Sequence, residues 1–145
     1  MDEKREKGRV LCVDWGLKNI GLAVSDPTRT IASPLSVIKH VSRSKDAENI
    51  VRKAQDEEAE MIVVGATYLD SGKPTHSGRS ALRLLEAIRN ISSLPVVAWE
   101  EGGSTRRARL VRKQAGASRN NRGGHLDAAA AAHILQDFLD AKENT

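Results

Sequence analysis

Aromatic residues are scarce. The 145-residue chain has four: Trp15, Tyr68, Trp99 and Phe138. A platform that stacks successive single-stranded bases needs more rings than this, so that binding mode is poorly supported. Cysteine occurs once, as Cys12 inside the apolar run VLCV. One thiol cannot form an internal disulfide, and it reads as a small core residue in a reducing, cytoplasmic setting. Long apolar runs are missing too. None approaches the ~20 residues needed to cross a bilayer, so no membrane partner is expected. The opening MDEKREKG is charged and lacks the apolar core of a secretory leader. Proline and glycine, at 4 and 11 residues, show no collagen-like or low-complexity pattern. What remains is an ordinary globular composition, 39% hydrophobic and 29% charged. At this length a single domain can bury about two thirds of its unfolded surface. Residues 9–141 are expected to form that domain, with tails at 1–8 and 142–145.

Acidic residues are absent from one stretch, 105–122, which carries Arg106, Arg107, Arg109, Arg112, Lys113, Arg119 and Arg122. The formal net charge is +4 and the isoelectric point about 9.5. Such a balance permits a nucleic-acid partner without proving one.

Hydrophobic periodicity predicts an alternating fold. Residues 9–13 and 20–25 read as two strands of a hairpin joined by a short turn with Gly16, Lys18 and Asn19. Residues 33–39 form a candidate third strand. Over 44–58, Ala47, Ile50, Val51 and Ala54 fall at helical spacing. EMIVVG at 60–65 has the β-branched character of a buried parallel strand. After a polar loop over 66–77, Ala81, Leu84, Leu85, Ile88 and Ile91 mark a second helix. LPVVAW at 94–99 is the next strand. Ser104 or Thr105 would cap a basic helix to about Gln114, with a loop over 115–124. A last helix from about His125 carries Leu126, Ala129, Ala130, His133, Ile134 and Phe138. Strands alternating with helices imply an α/β sheet with a parallel part and an antiparallel hairpin. Ligands of such sheets gather at the carboxyl ends of the strands.

Those ends carry carboxylates. Asp14 closes VLCV, and Glu100 and Glu101 follow VVAW. Asp127 stands four, seven and eleven residues before Ala131, Ile134 and Phe138, on the sheet-facing side of the last helix. Asp14, Glu101 and Asp127 could therefore converge. Converging carboxylates repel unless a cation offsets them, and hard oxygen ligands suit Mg²⁺ or Mn²⁺. Two such ions ~3.5–4 Å apart can drive phosphodiester hydrolysis. Blander roles stay open: Asp127 as a helix-dipole partner, Glu100 and Glu101 as a solvated turn, and Asp14 bonded to its own turn. Asp26 and Asp70 read as turn formers.

The same residues resemble the YqgF family, the RuvX-like proteins described as pre-16S ribosomal RNA nucleases or Holliday junction resolvases of the ribonuclease H-like superfamily. VDWGLKNIGLAVSD, TIASPLSVI, IVVGATYLDSG, WEEGGSTRRAR and HLDAAAAAHILQDFL resemble that family's motifs in order, across nearly all of 9–139. The resemblance implies an RNase H-like α/β fold with a five-stranded mixed sheet. It implies a metal-dependent nuclease using two Mg²⁺ or Mn²⁺ ions, with Asp14, Glu101 and Asp127 as catalytic and metal-binding acids. It implies a nucleic-acid substrate, either structured RNA or branched DNA, met as a monomer or homodimer. Lys18, Arg106, Arg107, Arg109 and Arg122 are the candidate nucleic-acid contacts. The sequence departs from the family pattern at Gly102 and Gly103, where Arg-Leu is usual, and Arg106 or Arg107 would then supply the missing cation. A non-catalytic nucleic-acid-binding module is the remaining alternative.

Overall fold

The computed structural model describes residues 7–101 and 124–143, with side chains from residue 128 onward in the second segment. Among the described residues five strands and three helices follow one another. They are β1 (Arg9–Asp14), β2 (Asn19–Ser25), β3 (Ala32–Lys39), α1 (Arg43–Asp56), β4 (Ala59–Ala66), α2 (His76–Ile91), β5 (Val96–Glu100) and α3 (Gly124–Glu143). The strands form one sheet in the order β3-β2-β1-β4-β5. β1 pairs antiparallel with β2, and β2 with β3. β1 pairs parallel with β4, and β4 with β5. This is the RNase H-like mixed sheet that the resemblance implied.

Each face of the sheet has its own core, because side chains alternate along a strand. Leu11, Val13, Ile62 and Val64 point to the face covered by α1 and α2, through Ala47, Ile50, Ala81, Leu84 and Ile88. Val10, Cys12, Ala23 and Val63 point the other way, under Ala131, Ile134, Leu135, Phe138 and Leu139 of α3. β1 and β4 are therefore buried on both faces, which is why VLCV and IVV read as unbroken apolar runs. The Trp99 and Phe138 rings meet edge to face at 5.5 Å and extend the α3 core to β5. Gln136 fixes α3 to the far edge: its Oε1 accepts from Ala32 N at 2.9 Å and its Nε2 donates to Thr30 O at 2.9 Å.

The predicted elements all appear where they fall within the described residues, with ends shifted by one or two positions. β1 runs on to Asp14, so the carboxylate is the last residue of the strand and not the first of the turn. β5 starts at Val96 and not at Leu94, since Pro95 has no N–H to give the ladder and its carbonyl instead accepts from Ile62 N. The predicted face of α3 needs correcting. Ala129 and His133 are exposed and Ala130 is half-buried, while Ala128 and Leu135 are buried. A run of five alanines gives periodicity little to distinguish. Ile91, predicted on the buried face of α2, is 51% exposed at the last position of that helix. The predicted basic helix to Gln114 and the loop after it lie outside the described residues. Among the described residues no helix is long and apolar enough to cross a membrane.

Candidate active site

The pleat decides which acids can meet. Cys12 faces α3, so Asp14, two residues on, faces the same way from the carboxyl end of β1. Its partner on β4 is Gly65. On β5, Val97 and Trp99 pack on the α3 core, so Glu101 continues that face. The ladder extends far enough to hold it, since Glu101 N donates to Ala66 O at 2.8 Å. Glu100 is exposed on the opposite face, and its register partner Ala66 belongs to the α1/α2 core. Two adjacent glutamates are thus separated by the thickness of the sheet, and only Glu101 shares a face with Asp14.

The Glu101 carboxylate leans across β4. Its Oε2 lies 3.3 Å from the place a Cβ on Gly65 would take. Asp14 and Glu101 are both half-buried. Cys12, beneath them, senses both. Burial pushes its thiol well above the ordinary value, and the negative charges of Asp14 and then Glu101 push it further. The two carboxylates share one face and one edge of the sheet, with Gly65 between their strands.

Asp127 belongs to the first turn of α3. Its side chain lies outside the described residues, while Ala131, Ile134 and Phe138 further along the helix are buried against this face. Among the described residues no three His, Cys, Asp or Glu are grouped to hold a metal. Two of the three expected acids are brought together, and the third is carried by the helix that roofs them. Two carboxylates on one half-buried edge suit a divalent cation. Lys18 stands exposed at the tip of the β1–β2 turn, whose backbone is tied to the end of β3 by a 2.9 Å bond from His40 N to Lys18 O. Arg106, Arg107, Arg109 and Arg122 lie outside the described residues, as do Gly102 and Gly103.

Sequence reasoning missed a second polar cluster. Asp46 is fully buried in the first turn of α1, with Oδ2 at 2.5 Å from His40 Nδ1 and Oδ1 accepting from Val41 N at 3.0 Å. His40 also meets the Trp15 ring edge to face at 5.9 Å. The signal was an aspartate four residues after Ser42, the N-cap, in an otherwise apolar-periodic segment. Asp26 behaves as the expected turn former. Its carboxylate accepts from Thr28 N at 3.0 Å, Thr30 N at 2.8 Å, Ile31 N at 2.7 Å and the Thr28 hydroxyl.

The model of the RuvX family, Holliday junction resolvases, matches residues 8–141. A protein of Thermoanaerobacter pseudethanolicus named "Putative pre-16S rRNA nuclease" is 36% identical over 94% of this chain and 99% of its own length. A protein of the same name from Endomicrobium trichonymphae is 33% identical over 94% of this chain and 98% of its own. Among solved structures, T. thermophilus RuvC in complex with a Holliday junction substrate aligns with a TM-score of 0.58 at 18% identity, covering 95% of this chain and 97% of that one. At that identity the likeness speaks for the fold.

Proposed function

This chain belongs to the RuvX family, and from that premise we propose that it is a metal-dependent nuclease that hydrolyses phosphodiester bonds in precursor 16S ribosomal RNA. The observation that carries the reading is the pairing of Asp14 and Glu101 on one face at the carboxyl ends of the central strands. The relatives' names point to ribosomal RNA as the substrate.

Asp14, Glu101 and Asp127 are the residues that would hold Mg²⁺ or Mn²⁺. When bound, such a pair of ions supplies an activated water and stabilises the leaving oxygen. The protein's part is to bring three carboxylates to one edge, keep Glu100 out of it, and present the backbone of the substrate. Lys18 lies on the approach to that edge and would contact a phosphate. Arg106, Arg107, Arg109 and Arg122 would add phosphate contacts, which position the strand without reading its sequence. One chain carries one cleavage centre, so RNA processing needs only a monomer, whereas symmetric junction resolution needs a homodimer. A nuclease of ribosomal precursors works in the cytoplasm.

The test offers the purified protein a precursor 16S RNA and a four-way DNA junction, with Mn²⁺, with Mg²⁺ and with chelator. The expected result is cleavage of the RNA that needs metal and disappears in Asp14→Asn and Glu101→Gln. Preferred cutting of the junction would move the assignment to a resolvase, the activity in the family's description. Binding without cleavage in every metal condition would leave a nucleic-acid-binding module.

A further inference from the structure

Neighbouring strands are ~4.8 Å apart, so Trp99 on β5 stands about two strand spacings across the sheet from Asp14 on β1, and Glu101 lies two residues further along. β4 lies between them. On the α3 face of β4 the residues are Met61, Val63 and Gly65, and the one beside Asp14 is the glycine. We propose that Gly65 is a positioning residue of the metal site: its missing side chain is the opening through which Glu101 brings its carboxylate across β4 toward Asp14. This inference rests on the metal-site reading above and adds a residue that carries no reactive group.

A competing reason for a glycine exists at the same place. A Cβ on Gly65 would also stand 3.2 and 3.3 Å from two methyl carbons of Ile134 on α3. The two contacts predict different things. The three nearest atoms all belong to side chains and not to backbone, so alanine at 65 needs its neighbours to give by only a few tenths of an ångström. Folding tolerates that. A metal site does not, because ligand distances must hold within about 0.2 Å. Gly65→Ala should therefore separate stability from metal affinity, and the loss should travel through Glu101 and not through α3.

Mn²⁺ affinity measured by calorimetric titration, with the melting temperature of each metal-free variant beside it, decides the matter. Gly65→Ala should bind Mn²⁺ about tenfold more weakly, the lower end for groups that orient a ligand, while melting within a few degrees of wild type. The loss should persist when Ile134→Ala removes the crowding from α3, and should vanish in a Glu101→Gln background. If Gly65→Ala binds Mn²⁺ as wild type does, or if Ile134→Ala restores it, the glycine serves only helix packing and the proposal falls. If Asp14→Asn and Glu101→Gln bind Mn²⁺ as well as wild type, the metal-site reading itself has failed and takes this inference with it. The Gly65→Ala/Ile134→Ala double variant keeps the comparison possible should the single variant fold poorly.

Discussion

Asp26 shows how much one side chain can organise. It closes the β2–β3 turn by accepting four hydrogen bonds, while Asp26 N donates to Ile31 O at 3.1 Å. Burial alone would raise its carboxyl. The bonds from Ile31 N, the Thr28 hydroxyl, Thr30 N and Thr28 N outweigh that and hold it well below the usual carboxylate range. A depressed folded value means the charged form stabilises the fold. That contribution is complete above the unfolded value of ~3.9 and is lost as pH falls toward the folded value. Asp26→Ala should cost about 1–2 kcal/mol near neutral pH, and its deficit against wild type in thermal melts should shrink below about pH 4. A deficit that stays constant down to pH 2 would contradict the assignment.

At the scale of elements, the junction of β3 and α1 depends on a buried carboxyl group. Ser42 caps α1, its hydroxyl accepting from Lys45 N at 3.3 Å, and Asp46 reaches back to Val41 N and His40. The cleft above this pair, about 240 Å³ in volume, is lined by Trp15, Arg43 and Ser80 among others. Asp46→Ala leaves the Val41 amide and the His40 ring without their acceptor at a part-buried site, and should cost about 1–3 kcal/mol in denaturant unfolding. Asp46→Asn keeps an acceptor for Val41 N and should cost less. Equal losses in the two variants would show that the charge on Asp46, and not its hydrogen bond to the backbone, is what matters. The apolar pattern of α1 was legible because Ala47, Ile50 and Ala54 repeat at helical spacing. Asp46 was not legible, since a polar residue in a first turn reads equally well as a solvated dipole partner.

Over the whole molecule, two layers of helix enclose the sheet, and charge sets its relation to polyanions. With a formal net charge of +4 and an acid-free basic stretch between β5 and α3, nucleic-acid affinity should come largely from counterion release. Raising salt from 50 to 200 mM should weaken binding of the precursor RNA to Asp14→Asn by at least about tenfold in fluorescence anisotropy. Salt-insensitive binding would contradict a phosphate-led interface. α3 covers one face of the sheet through Ile134, Leu135 and Phe138. Leu135→Ala, fully buried in that layer, should therefore cost about 2–5 kcal/mol in denaturant unfolding.

The order of elements, the mixed sheet and the presence of carboxylates at two strand ends could be read from the chain, because burial on both faces writes unbroken apolar runs and strand ends are where those runs stop. Glu101 was preferred to Glu100 only by resemblance. Tertiary structure supplied the physical reason, since the pleat sends alternate residues to opposite faces and β4 and β5 are parallel in register. The sequence alone could not give the space over Gly65, because a glycine at the end of a strand looks the same whether it makes a turn, admits a helix or lets a carboxylate pass. That distinction depends on which atoms of β5 and α3 arrive above it, and only packing decides what arrives.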